Sequence, residues 1–201
     1  MNNASSNQSS SQQGQLVSRE QRERLNSQRG HVLWLTGLSG AGKSTLAYAL
    51  EAQLYDLGRR CVVLDGDNLR RGLCADLGFT PQARHENLRR AAETAKLFVD
   101  MGMICIAAFI SPTCYDREMV RSIISPEDFS VVYLECSLQV CEARDVKGLY
   151  RRAREEELED FTGISSPYEP PRQPNLILNT DNLSIEDCVQ QLIKLLINKF
   201  H

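Results

Sequence analysis

The sequence lacks the material for a disulfide scaffold, a metal cluster or a membrane span. Its seven cysteines, at 61, 74, 105, 114, 136, 141 and 188, are odd in number and include no Cys-x-x-Cys, so neither a disulfide framework nor a zinc ribbon is indicated. Most fall inside apolar runs, which marks them as small core residues in a reducing compartment. The three histidines, at 31, 85 and 201, are too scattered for a metal cluster. The longest unbroken apolar run, 103–110, is far short of the roughly 20 residues that cross a bilayer, and no apolar signal core opens the chain. A cytoplasmic protein with no membrane partner is expected. Charge of one sign is missing too: 23 Lys and Arg against 26 Asp and Glu leave a formal charge of −3, whereas nucleic-acid binding usually shows as a basic excess over the domain. No nucleic-acid partner is expected, and any anion site must be local.

What is present is ordinary globular material: 201 residues, 42% apolar and 24% charged, enough for one domain with a continuous core. Residues 1–14 carry no charged side chain and almost no apolar one, and read as a disordered polar tail ahead of a single domain over 15–201. Beyond the tail, apolar runs of strand length alternate with amphipathic stretches of helix length, the rhythm of an α/β fold with a mainly parallel sheet. Strands are predicted at 32–35, 61–64, 103–109, 131–135 and 176–178, and helices near 44–56, 85–101, 115–124 and 184–199. A five-stranded doubly wound sheet with helices on both faces follows. The charged, then Gly- and Pro-rich region 144–174 breaks the rhythm between the fourth and fifth strands, where a long insertion reads as a lid or binding loop.

Directly after the first strand comes Gly37-Leu38-Ser39-Gly40-Ala41-Gly42-Lys43-Ser44-Thr45, a G-x-x-x-x-G-K-[ST] phosphate-binding loop that opens a helix. Its glycines let successive N–H groups converge on a phosphate chain at the positive end of the helix dipole. Lys43, expected to face solvent in the empty site, can reach the β and γ phosphates, and Ser44 can supply a hydroxyl to Mg²⁺. A Mg²⁺-dependent nucleoside triphosphate site in a three-layer fold of the P-loop type is therefore expected. The Asn-Lys-x-Asp motif of GTPases is absent, and the fourth strand ends in Glu135-Cys136 where a motor ATPase carries Asp-Glu. A small-molecule kinase is favoured over a switch protein. After the second strand, Asp65-Gly66-Asp67 places two carboxylates at the edge where open α/β sheets bind ligands, although the same tripeptide is a common surface turn. One carboxylate can orient or deprotonate an acceptor hydroxyl while the other organises Mg²⁺.

Several strings taken together resemble the adenylylsulfate kinase family: the loop above, Asp65-Gly66-Asp67-Asn68-Leu69-Arg70, Leu77-Gly78-Phe79, Arg84-His85-Glu86-Asn87-Leu88-Arg89-Arg90, Phe109-Ile110-Ser111-Pro112, Arg144-Asp145-Val146-Lys147-Gly148-Leu149-Tyr150 and Phe161-Thr162-Gly163-Ile164. The resemblance spans about residues 20–200 and implies transfer of the ATP γ-phosphoryl to the ribose 3′-hydroxyl of adenosine 5′-phosphosulfate. It implies that the loop residues and Arg144 hold ATP, with Arg144 near its adenine. Ser44 and Asp65 would serve the metal, and Lys43, Asp67 and Ser111 the chemistry. The acceptor would be held by Asp65, Asp67, Asn68, Leu69, Arg70, Arg84, Asn87, Ile110, Ser111, Lys147 and Leu149, with Phe79 and Phe161 sandwiching its adenine. Residue chemistry agrees in part, since arginine forks suit tetrahedral oxyanions and Asn87 follows Arg84 by three positions on one predicted helix. Read alone, each phenylalanine is a core residue, Ser111-Pro112 a strand-to-helix turn, and the basic cluster from Arg144 to Arg154 a solvated helix face. A phosphorylated Ser111 has been considered in some family members, but nothing beside it reads as an activating base, and direct transfer is expected. The resemblance further implies a homodimer and a functional link to an ATP sulfurylase.

Overall fold

The computed structural model describes residues 17–200, so the polar stretch 1–14 lies outside the described residues. Five strands, β1 (His31–Thr36), β2 (Cys61–Asp65), β3 (Ile104–Ala108), β4 (Phe129–Glu135) and β5 (Leu176–Asn179), form one sheet in the order β2-β3-β1-β4-β5. Every pairing is parallel, with Leu33 opposite Ile106 on one side and Ser130 on the other. Strands buried on both faces need apolar side chains at odd and even positions alike, and β1 is buried along its whole length.

Alternation along β1 sends the two sets to different layers. Leu33 and Leu35 pack with α2 (Lys43–Asp56) and α8 (Ile185–Phe200) through Leu46, Leu50, Leu192 and Leu196. Val32 and Trp34 pack with α4 (Pro81–Asp100) and α5 (Cys114–Ile123) through Leu88, Ala92, Val99 and Val120. The small faces of Ala91, Ala92 and Ala95 let α4 lie close to the sheet. Five of the seven thiols are buried, Cys61 and Cys114 are half-buried, and none is paired.

Beside one four-residue turn after β2, three helices were not expected. One is α1 (Arg19–Asn26), which buries no side chain of its own. A capping box between Ser18 and Gln21 starts it, and polar contacts dock it under the sheet: Arg19 forks onto buried Asp128, and Asn26 donates to the Met101 carbonyl at 2.7 Å. The other two, α6 (Leu138–Arg144) and α7 (Leu149–Arg154), lie in the approach to and inside the 144–174 insertion, after the four-residue α3 (Gly66–Leu69) that follows β2. The insertion folds back over the sheet's carboxyl edge, where the Tyr150 hydroxyl donates to the Ser39 carbonyl of the phosphate loop at 2.9 Å. Among the described residues, no helix is long and apolar enough to cross a membrane.

Candidate active site

The parallel sheet aims the carboxyl ends of β1, β2 and β3 at one edge, and a cavity of about 1210 Å³ opens there under the insertion. One wall is the phosphate loop, held in a shape that side chains would obstruct. Gly37 has φ +154° with its Cβ position 2.7 Å from the Leu134 carbonyl, and Gly40 has φ +76° with its Cβ position 2.9 Å from the Cys141 carbonyl. A methyl at either place would push the loop off its neighbours. The loop is braced from β5, where Thr180 donates to the Ala41 carbonyl at 3.1 Å and Arg144 bridges the Thr180 and Gly40 carbonyls at 2.6 and 3.3 Å.

Lys43 departs from its expected solvent-facing pose. Its ammonium turns back into the loop and donates to the Gly37 and Leu38 carbonyls at 2.9 and 2.7 Å. Burial lowers its pKa to about 8, with the nearby Lys147 cation adding in the same direction. A polyphosphate reverses that balance by supplying negative charge, so nucleotide binding at pH 8 should take up about half a proton at Lys43, and almost none at pH 6 where the amine is already charged. Calorimetric titration of a nonhydrolysable ATP analogue in buffers of different ionisation heat measures this; equal uptake at both pH values would contradict it.

The carboxylates have separate tasks. Asp65 is buried, and its Oδ1 caps α3 by accepting from the Asp67 and Asn68 amides at 3.0 and 3.3 Å. Its Oδ2 accepts from the Ser44 hydroxyl at 2.5 Å. Such a hydroxyl and carboxylate pair is a hard-oxygen donor set that fits Mg²⁺. Among the described residues no cluster of three or more His, Cys, Asp or Glu could hold a metal, so an ion here would need further ligands from phosphate and water. Asp67 instead is half exposed and ion-paired with Lys147 of the insertion.

The opposite wall is cationic and aromatic. Arg70 donates to the Leu77 and Gly78 carbonyls at 3.2 and 2.8 Å with its guanidinium 4.4 Å above the Phe79 ring. Arg84 donates to the Phe79 carbonyl at 2.7 Å and to the Asp160 carbonyl at 2.9 Å. Burial pushes both guanidinium pKa values down, and for Arg70 repulsion from Arg84 adds to it. Asn87 Oδ1 is buried with no hydrogen-bond partner among the described residues, an acceptor left over for a ligand donor.

Of the residues singled out in the sequence, Ser39 to Thr45, Asp65, Asp67, Arg70, Phe79, Arg84, Asn87, Ile110, Ser111, Arg144, Lys147, Leu149 and Phe161 all border this cavity. Gly37, Leu38, Asn68 and Leu69 do not: Leu38 faces a separate groove with Leu138 and Tyr168, and Asn68 donates to the Tyr48 hydroxyl at 2.9 Å. Ser111 differs from expectation in its hydroxyl. Thr36 has one proton and gives it to the Ile110 carbonyl at 2.6 Å, so Ser111 Oγ donates to Thr36 at 3.0 Å and accepts from Trp34 Nε1 at 3.1 Å. With its proton spent inside the fold and the residue 2% exposed, that hydroxyl is not set up as a nucleophile. Sequence reasoning missed Thr180, Leu183, Ser184, Ile185 and Cys188, which line the cavity beside Arg144; the carboxyl end of β5 pointing at the same edge was the available signal.

The model of the adenylylsulphate kinase family matches residues 29–179. The chain belongs to this family. An adenylyl-sulfate kinase of Acaryochloris marina is 53% identical over 180 residues, covering 90% of this chain and 88% of the relative. Among solved structures, the Mycobacterium tuberculosis APS kinase in complex with AMPPNP and APS superposes with a TM-score of 0.81 at 45% identity, over 85% of this chain and 99% of that one. The hexameric APS kinase of Thiobacillus denitrificans gives 0.65 at 32% identity, over 89% of this chain and 30% of that one. The Mycobacterium tuberculosis enzyme shares this chain's fold, and its site binds AMPPNP and APS.

Proposed function

We propose that the protein transfers the γ-phosphoryl of ATP to the 3′-hydroxyl of adenosine 5′-phosphosulfate. The observation that carries this reading is a single cavity with a phosphate loop on one wall and, on the other, two arginines, the orphaned Asn87 acceptor and two phenylalanines. The acceptor is a nucleotide whose anhydride needs cations and whose base needs an aromatic face. Asp67, at the carboxyl edge beside β2, orients the attacking hydroxyl and takes its proton. Lys43 leaves the loop carbonyls for the β and γ oxygens, and Lys147 exchanges Asp67 for phosphate or sulfate when the insertion closes. Ser44 and Asp65 would hold Mg²⁺, which would supply neutralisation of the phosphate charge. Direct transfer accords with the engaged Ser111 hydroxyl.

An acceptor screen tests the reading: ADP release from ATP should be rapid with adenosine 5′-phosphosulfate and slow with AMP or gluconate. Preference for either of the others replaces the assignment with a different small-molecule kinase.

The aromatic pair gives a second test, because the structure separates its members. Phe79 is 66% exposed and Phe161 only 9%, with Phe161 packed edge-on against Tyr150 at 5.0 Å. Phe79→Ala should leave the melting temperature unchanged and weaken acceptor binding about ten- to hundredfold. Phe161→Ala should lose acceptor affinity and also stability, by about 3 kcal/mol. Thermal melts with acceptor and ATP titrations read both; unaltered acceptor affinity in Phe79→Ala would remove it from the acceptor site.

We also infer a cytoplasmic homodimer acting in sulfate assimilation on the product of an ATP sulfurylase. Family membership supports this, and the Thiobacillus denitrificans relative is itself an oligomer. Light scattering of the purified protein measures its assembly state.

A further inference from the structure

Arg117, in the first turns of α5, has no task in the transfer described above, yet it is 6% exposed. Its fork goes to the main chain. Nη1 donates to the Ser111 carbonyl at 2.6 Å, and Nη2 donates to the Glu169 carbonyl at 2.5 Å with the Cys114 sulfur 3.2 Å away. Burying a cation is costly, and an apolar residue of similar volume commonly serves stability as well or better, so a buried arginine spanning two carbonyls points to geometry as its purpose.

The two carbonyls belong to segments that matter to the site. Ser111 borders the acceptor half of the cavity and sits at φ +38°, a left-handed conformation that a residue with a Cβ holds only when its surroundings fix it. Its hydroxyl is fixed by Trp34 and Thr36, and its carbonyl by Arg117. Glu169 lies where the chain returns from the insertion toward β5. It is stitched to the same loop twice more: its amide donates to the Pro112 carbonyl at 2.8 Å, and its carboxylate accepts from the Cys114 amide at 2.7 Å. Tyr168 beside it places its ring 5.8 Å from the Arg117 guanidinium, and its hydroxyl donates to Thr36, the last residue of β1 before the phosphate loop.

We propose that Arg117 is a positioning residue for phosphoryl transfer, holding the Ser111–Pro112 wall in its strained turn and coupling it to the root of the insertion that closes over the acceptor. This rests on the kinase reading above. When the insertion moves, the wall moves with it, so the acceptor hydroxyl meets the phosphate chain at one fixed geometry; a misplacement of about 1 Å there costs about 10²-fold in rate.

Arg117→Lys tests the proposal, since one ammonium keeps the charge but cannot span both carbonyls. The expected result is a rise in acceptor KM or a fall in kcat of about tenfold, with the Kd of AMPPNP within about twofold of wild type. Hydrogen exchange should show the amides of Cys114 and Glu169, which bond across the two segments, losing protection together. A variant that melts lower but keeps wild-type acceptor KM and kcat per active site would overturn it, because that is the behaviour of a purely structural arginine. Should Arg117→Lys fail to fold, Glu169→Ala removes only an exposed carboxylate's bond to the Cys114 amide; it should raise acceptor KM about threefold, and wild-type kinetics with wild-type exchange at 110–114 would again overturn the proposal. A wild-type enzyme that prefers another acceptor would overturn the substrate assignment instead, while the same split measured with that acceptor still decides the role of Arg117.

Discussion

The Lys43→Ala enzyme is expected to fold normally and to turn over at about a hundredth of the wild-type rate or less. The reason lies in where the ammonium sits. It is half-buried behind the loop, bonded at 2.9 and 2.7 Å to the Gly37 and Leu38 carbonyls, and burial has already lowered its pKa to about 8. A cation so poorly solvated interacts strongly with charge that develops on the transferring phosphoryl, and it needs little reorganisation when that charge appears. Circular dichroism checks the fold, and the hydrogen bonds from Thr180, Arg144 and Tyr150 to the Ala41, Gly40 and Ser39 carbonyls should keep the loop in place. A folded variant retaining more than about a tenth of wild-type kcat, a loss of only about 1.4 kcal/mol of barrier stabilisation, would contradict the role given to this lysine.

The strands were legible because a parallel sheet covered on both faces leaves its signature as continuous apolar runs, and β1 is the plainest case. Boundaries were less so. Helix α4 begins at Pro81, after a Thr80 cap, four residues before the predicted start at 85, because the residues of its first turns face the cavity and the apolar spacing begins only at Leu88. Helix α1 carried no apolar stripe at all, since its docking is polar; only the Ser18 and Gln21 capping pair announced it. In the site, Lys43 and Asp65 could be placed from the motif and strand order. The split between Phe79, open to solvent, and Phe161, packed on Tyr150, depends on where the insertion folds back, which local sequence does not encode. The same holds for Ser111, whose hydroxyl is claimed by Trp34 and Thr36 on the neighbouring strand β1.

Asp67→Asn should lower kcat by about 10² to 10⁴ while acceptor KM moves by less than about threefold. An amide in the same place still hydrogen-bonds to the acceptor hydroxyl but cannot accept its proton. The neighbouring carboxylate gives no substitute, because both Asp65 oxygens are engaged, one by the α3 amides and the other by Ser44. The second consequence concerns Lys147, which pairs with Asp67. The variant releases that lysine, so ATP affinity should hold steady or rise, whereas damage to the loop would weaken it. Steady-state kinetics with ATP titrations at fixed acceptor separate the two. An unchanged kcat would mean that Asp65-Gly66-Asp67 is a surface turn with one capping carboxylate and that the hydroxyl proton leaves by another route; a fall in kcat with a parallel loss of ATP binding would assign Asp67 to the nucleotide half of the cavity.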